Sequence, residues 1–287
     1  MHTPISLSVL ALLVGGCAAK TVTPDVVAPA PAEAEAPAPT SFVTAADDVK
    51  WMAVYPDQPD GPQMALLSGN PKEGGFSAMV KLPAGQASEL HSHPATLHAV
   101  VVSGTVKNGR TAEDSPEITA GGVWTQPAGE AHFTGCTEDA DCVFIGRMEG
   151  AMGTTPSDAA VEASTQTVTA AADLTFNPVN PEKPEGPGMM VLSGDMKASA
   201  FNALVHFPAG VTTPMHSHSA SYRGAVVSGA VSHGEGEAMT TGSYWNQVGG
   251  EVHTTGCTEE ADCVFFVAMD GAMDMTPAEA PAEAATE

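Results

Sequence analysis

The sequence is poor in cations. Lys and Arg together number 10 against 34 Asp and Glu in 287 residues, for a net charge of −24. So acidic a surface excludes nucleic acid as a partner, because phosphate binding needs clustered positive charge. It also provides no polybasic patch for an anionic bilayer. Aromatic residues make up only 5% of the chain, and much of the apolar content is Ala near the two ends, which buries little. The core must therefore come from the middle. No apolar run approaches the roughly 20 residues that a membrane-spanning helix needs, and no long helical period is present.

A short apolar stretch, Ile5 to Val14, ends at Val14-Gly15-Gly16-Cys17. This has the form of a secretion signal, although its start carries only His2 in place of Lys or Arg. It resembles the lipobox of bacterial lipoproteins, which implies a diacylglycerol on Cys17; an ordinary signal peptide is the alternative. Ala18 after the Cys resembles the sorting pattern for the outer membrane. The expected location is the cell envelope, facing the periplasm or the cell surface, with membrane contact through the lipid anchor only. Residues 18–40 are rich in Ala, Pro and Glu. They cannot bury enough apolar surface to offset ordering and read as an extended spacer. Residues 277–287 have the same character.

Between these tails lies an internal repeat. Pro83-Ala84-Gly85 recurs as Pro208-Ala209-Gly210, His91-Ser92-His93 as His216-Ser217-His218, and Val101-Val102-Ser103-Gly104 as Val226-Val227-Ser228-Gly229. After a four-residue deletion in the second copy, Trp124 matches Trp245, His132 matches His253, and Gly135-Cys136-Thr137-Glu138 matches Gly256-Cys257-Thr258-Glu259. The expected division is 1–17 leader, 18–40 linker, 41–158 first domain, 159–276 second domain and 277–287 acidic tail. Short apolar segments punctuated by Pro-Ala-Gly and Ser-Gly turns predict an all-β barrel or sandwich in each copy. Met52, Met79 and similar residues read as core filler, and Trp124 and Trp245 as core.

Six of the ten histidines fall at matched positions: His91, His93 and His132, then His216, His218 and His253. On a strand, His-x-His puts both imidazoles on one face. A third His from another strand can complete a facial set around Fe, Zn, Mn, Ni or Cu.

Gly85-x5-His91-x-His93 with Gly104 resembles the first cupin motif, and Gly121-x5-Pro127-x-Gly129-x2-His132 resembles the second. The second copy repeats both, with Val248 in place of the Pro. The chain thus resembles a bicupin, and is similar to a bacterial two-cupin family of unknown function. The resemblance implies two tandem jelly-roll β-barrels, each with a metal inside. Cupins usually place a Glu between the His-x-His and the Gly. Here that position holds Leu97 and Tyr222, or, one residue along, His98 and Arg223, so neither register gives a carboxylate. The set therefore resembles three-His cupins such as cysteine dioxygenase and acetylacetone dioxygenase. Three neutral ligands leave the ion its full charge, which favours anionic or chelating ligands at open positions.

Gln126 and Gln247 are matched candidates for hydrogen bonds behind the ligands. Glu130 and Glu251, two residues before the third His, are candidates for a base or for solvated turn residues. His206 and His233 occur only in the second copy, opposite Lys81 and Asn108, and read as surface histidines. Cys136/Cys142 and Cys257/Cys263 suit a disulfide across a hairpin, with thiolate metal ligation as the rival. Two function classes follow. One is a metal-dependent oxygenase acting on a small chelating or anionic substrate; the other is a non-catalytic envelope module holding a metal or small ligand. Cupins also pair through barrel edges, so a homo-oligomer is open.

Overall fold

The computed structural model describes residues 40–159 and 162–278. The leader with Cys17, most of the 18–40 spacer and most of the 277–287 tail lie outside the described residues. Among the described residues there is no α-helix, only two short 3-10 turns, Ala46–Asp48 and Ala171–Asp173. No helix there is long and apolar enough to cross a membrane.

The all-β expectation holds, as two tandem cupin barrels. The first is built on an antiparallel sheet in the order Thr167–Thr169, Val123–Gln126, Leu97–Ser103, Cys142–Met148, Phe76–Leu82, Gln63–Gly69, Met52–Ala53. A smaller sheet, Phe133–Cys136, Thr105–Gly109 and Glu117–Thr119, faces it. The second barrel repeats the plan, from Phe42–Thr44 through Tyr244–Gln247, Tyr222–Ser228, Cys263–Met269, Phe201–Phe207 and Gly188–Gly194 to Asn177–Pro178. In each large sheet the first strand comes from the other half of the chain. Phe42–Thr44 pairs with Tyr244–Asn246 of the second barrel, and Thr167–Thr169 with Val123–Thr125 of the first. The two copies therefore exchange edge strands reciprocally, which covers edges that would otherwise be open.

The exchange joins two cores through a third. Along Leu97–Ser103, side chains alternate between faces with period 2. Ala99 and Val101 enter the first barrel's core beside Trp124 and Phe144. Val100 and Val102 point the other way, into a core between the barrels with Ala225, Val227 and Phe266. A strand buried on both faces needs an unbroken apolar run, which explains the Val-Val-Val sequence. Met79 is 1% exposed in that shared core, whereas Met52 is 57% exposed and is not core filler. Ser77 Oγ donates to Asn202 Oδ1 at 3.3 Å across the junction, between matched positions of the two copies.

Cys136–Cys142 and Cys257–Cys263 are disulfides, each closing the hairpin beyond the third His. Gly104 ends the strand opposite the first of them. Its φ of +73° suits Gly, and a Cβ there would lie 2.7 Å from the Asp141 carbonyl oxygen, so no other residue fits.

Candidate metal centres

The first His of each His-x-His pair lies on a two-residue strand, His91–Ser92 or His216–Ser217, and the second, His93 or His218, follows directly after it. Each first His is locked to the third by reciprocal backbone bonds. His91 N–H donates to His132 O at 3.0 Å and His132 N–H to His91 O at 2.7 Å; for His216 and His253 the distances are 3.0 and 2.8 Å. The second His is tied to the Gly turn, with Gly129 N–H donating to His93 O at 2.8 Å and Gly250 N–H to His218 O at 2.7 Å. Gly129 and Gly250 have φ of +74° and +85°. That left-handed turn brings the third His beside the pair.

The six histidines converge as two trios. Within each trio, one nitrogen per ring lies within 4.8 Å of the others. Ring centroids of His91–His132 and of His216–His253 are each 4.4 Å apart. Every ring has its Nδ1 against a backbone carbonyl. His91 bonds to Glu89 O (2.8 Å), His93 to Gly153 O (2.7 Å) and His132 to Glu130 O (3.2 Å). His216 bonds to Pro214 O (2.8 Å), His253 to Glu251 O (3.2 Å), and His218 to Asp274 O. A carbonyl only accepts, so each Nδ1 carries the proton and each Nε2 presents a lone pair inward. His91 Nε2 and His93 Nε2 are 3.3 Å apart. Two lone pairs at that distance repel unless a cation lies between them. His132 Nε2 is buried without any hydrogen-bond partner. Burial pushes His132 and His253 down to about 3 and lowers His93 and His218, so the rings stay neutral, as ligation requires. Three neutral imidazoles fit a transition metal such as Fe, Zn, Mn, Ni or Cu.

The profile of a domain of unknown function, DUF4437, matches residues 32–117, 91–174 and 166–287. The chain belongs to the DUF4437 family. No curated protein matches it in sequence. A candidate dioxygenase from Nostoc punctiforme is similar in structure, with TM-score 0.64 and 12% identity over 84% of this chain and 87% of that one. Lactobacillus farciminis oxalate decarboxylase, in a formate complex, gives TM-score 0.50 and 12% identity over 82% and 88%. A 7S globulin of Momordica charantia gives 0.51 and 11% over 80% and 84%. At such identities these likenesses show the fold alone.

Behind the third His of the DUF4437 chain lies a buried polar relay. Thr134 Oγ1 donates to Asn108 Oδ1 (2.6 Å), Asn108 Nδ2 to Gln126 Oε1 (3.1 Å), and Gln126 Nε2 to Glu130 O (3.3 Å), the same carbonyl that orients His132. In the second barrel His233 replaces Asn108. Its Nδ1 meets Thr255 Oγ1 at 3.0 Å, its Nε2 meets Gln247 Oε1 at 2.9 Å, and Gln247 Nε2 reaches Glu251 O at 3.3 Å. Gln126 and Gln247 thus stand behind the ligands. His233 is not a surface residue: it is 8% exposed, and burial lowers it to about 4, so it stays neutral. Asn108 and His233 can each accept on one side and donate on the other. That shared ability was the available signal, and sequence reading missed it.

The backbone carbonyls of Glu130 and Glu251 orient the third His of each trio, while their carboxylates are engaged elsewhere. The Glu130 carboxylate binds Ser164 Oγ and Thr165 N–H, just before the exchanged strand Thr167–Thr169. The Glu251 carboxylate binds Ser41 Oγ, just before Phe42–Thr44. They hold the exchanged strands. His206, half-buried, pairs with Asp262 at 3.1 Å.

Leu97 and Tyr222 are the residues that face the centres. The alternatives one position along turn away: His98 bonds Glu149 Oε1 at 3.0 Å and Arg223 pairs with Asp270. The Tyr222 hydroxyl, buried and held protonated with its pKa pushed up to about 12, lies 3.0 Å from His253 Nε2. Leu97 has no polar group to offer His132. The first barrel also contains a cavity of about 630 Å³, bounded by His91 and His93 and walled by residues including Met64, Phe76, Val80 and Phe144.

Proposed function

We propose that this protein is a metal-dependent cupin whose first barrel binds a small organic molecule at the His91–His93–His132 centre and oxidises it. One observation carries the reading: six rings fixed by carbonyl acceptors at Nδ1, with their Nε2 atoms gathered into two trios. A divalent ion held there supplies Lewis acidity and, where redox-active, electron exchange with dioxygen. The chain itself does three things. The carbonyls of Glu89, Gly153 and Glu130 fix ring tautomer and direction. The apolar wall of Met64, Phe76, Val80 and Phe144 gives the bound molecule a surface to pack against. The cavity supplies room of the size usual for small-molecule sites, roughly 300–1,000 Å³. With the Glu130 carboxylate bound to Ser164 and Thr165, no carboxylate beside His132 serves as a base, which favours chemistry centred on the ion.

An envelope location belongs to the same proposal. The Gly15-Gly16-Cys17 lipobox and two disulfides, which persist in oxidising compartments, support it. Radiolabelled palmitate should enter the wild-type chain and not Cys17→Ser.

The test of function is elemental analysis of full-length protein made in its own compartment, followed by O₂ uptake with β-diketones, thiols and organic acids. Bound transition metal and turnover abolished by His91→Ala support the proposal. A chain purified without metal, and unable to take up any, refutes it. Metal and tight ligand binding without turnover would assign a binding module instead.

A further inference from the structure

The two barrels share their ligands but not their interiors. At three matched positions the second copy carries the larger side chain: Phe207 for Leu82, Tyr222 for Leu97 and Val267 for Gly146. The cross-strand pairing confirms the correspondence, since Gly146 stands opposite Ala99 and Val267 opposite Gly224. Tyr222, Phe207 and Val267 sit in one buried cluster with Met189, Val205 and Phe265. Exposure follows. Met64, Val80, His91, His93 and Leu97 are all partly exposed, whereas their counterparts Met189, Val205, His216, His218 and Tyr222 are all buried. The first centre opens onto a chamber, and at these five positions the second is more deeply buried.

Charge narrows what the chamber accepts. Its wall includes no Lys or Arg, and its one carboxylate, Glu89, is exposed. A ligand's second anionic group would meet no cation there, only the Met, Phe and Val wall and neutral donors such as Tyr55, Gln58, Gln86 and Thr134, which do not offset the cost of desolvating a charge.

We infer that only the first barrel takes an organic ligand, that this ligand has one metal-chelating head on an uncharged apolar body, and that Leu97 and Gly146 set this selectivity. The inference rests on the metal reading above and adds the substrate class and the residues that choose the barrel. A Cβ on Gly146 would lie 3.0 Å from Leu97 Cδ1, so any side chain there enters the space beside Leu97.

The test uses the full chain loaded with cobalt(II) and titrated with nitrocatechol, a chelator on an aromatic body whose absorption shifts on ligation. Two cobalt ions and one nitrocatechol per chain are expected. The variant Leu97→Tyr with Gly146→Val, which imports a pair already packed together in the second barrel, should keep both cobalt ions and bind the probe at least about 100-fold more weakly. The reverse variant, Tyr222→Leu with Val267→Gly, should bind two probes. Benzoylacetone should displace the probe at a concentration at least about tenfold lower than oxalate. Two probes on the wild type, an unaffected Leu97→Tyr/Gly146→Val variant, or oxalate as the better competitor would each overturn the inference while leaving the metal reading intact. A chain that takes up no cobalt would overturn the metal reading itself.

Discussion

The Tyr222 hydroxyl lies 3.0 Å from His253 Nε2, while the matched Leu97 leaves His132 Nε2 with no partner at all. One substitution thus gives two chemically identical trios different ground states. In the second barrel the phenol O–H donates to the lone pair that a metal would take, so metal uptake there must break a hydrogen bond. A buried neutral bond of this kind is worth about 1 kcal/mol. Tyr222→Phe should therefore destabilise the metal-free protein by about that much in urea unfolding. It should also tighten metal at the second site by about fivefold in chelator competition. Unchanged affinity would mean that the hydroxyl does not compete for Nε2.

Asn108 and His233 give a prediction that uses one copy as the control for the other. Asn108→Ala would leave the Gln126 carbonyl and the Thr134 hydroxyl buried without their partner, at a cost of about 1–3 kcal/mol. It would also loosen the carbonyl that aims His132, weakening metal at the first site by roughly 10–100-fold. Asn108→His should restore most of both, because His233 already fills this place between Thr255 and Gln247. Equal damage from the two variants would show that the relay is only packing.

Much of this was legible in the sequence because it is written as local pattern. His-x-His on a strand, Gly turns at fixed spacing and a doubled motif specify a face, a turn and a duplication. Cys-x5-Cys could be read as a hairpin clasp because its two ends are neighbours in the chain. What stayed hidden depends on partners distant in sequence. Glu130 lies beside His132, and only the exchanged strand reveals that its carboxylate serves Ser164 and Thr165. His233 looked like an unmatched surface residue because its partners, Gln247 and Thr255, come from two other strands. The register ambiguity between Leu97 and His98 was settled by which face of the strand meets the chamber, a tertiary fact.

Acid should weaken the metal-free protein through its buried histidines. His132 and His253 titrate near 3 and His233 near 4, all below the ordinary 6.5 expected once the chain unfolds. Between those values the unfolded chain holds more protons than the folded one, so stability is full above about 6.5 and declines as pH falls towards 3. Thermal unfolding of the apoprotein across this range should show a falling Tm. Added Zn²⁺ should raise Tm at neutral pH, by an increment that shrinks on acidification as protons compete for Nε2. A Tm independent of pH from neutrality down to about 5 would contradict neutral burial of these rings.

Each disulfide clasps the hairpin that follows a third His, across a sequence separation of 6. So short a loop constrains the unfolded chain modestly, by about 2 kcal/mol on the chain-entropy estimate. Replacing Cys136 and Cys142 together by Ser should therefore lower stability by about that amount, read from urea unfolding without reductant, and leave the other bridge intact by mass. Both pairs replaced should cost close to the sum, since the bridges lie in different barrels.

Glu130 separates a clamp from a base by experiment. Its carboxylate accepts from Thr165 N–H at 3.1 Å and from Ser164 Oγ at 2.9 Å, and these bonds hold it ionised below the usual carboxylate range. Glu130→Gln keeps the shape but removes the charge and one acceptor. Its expected effect is faster proteolytic cleavage of the segment around Ser164, which precedes the exchanged strand, with metal content unchanged, because the backbone carbonyl that orients His132 remains. Glu251→Gln should expose the segment around Ser41 in the same way. If Glu130→Gln instead abolished turnover while cleavage around Ser164 stayed at the wild-type rate, the carboxylate would be acting at the centre, and the strand-holding role assigned to it would be wrong.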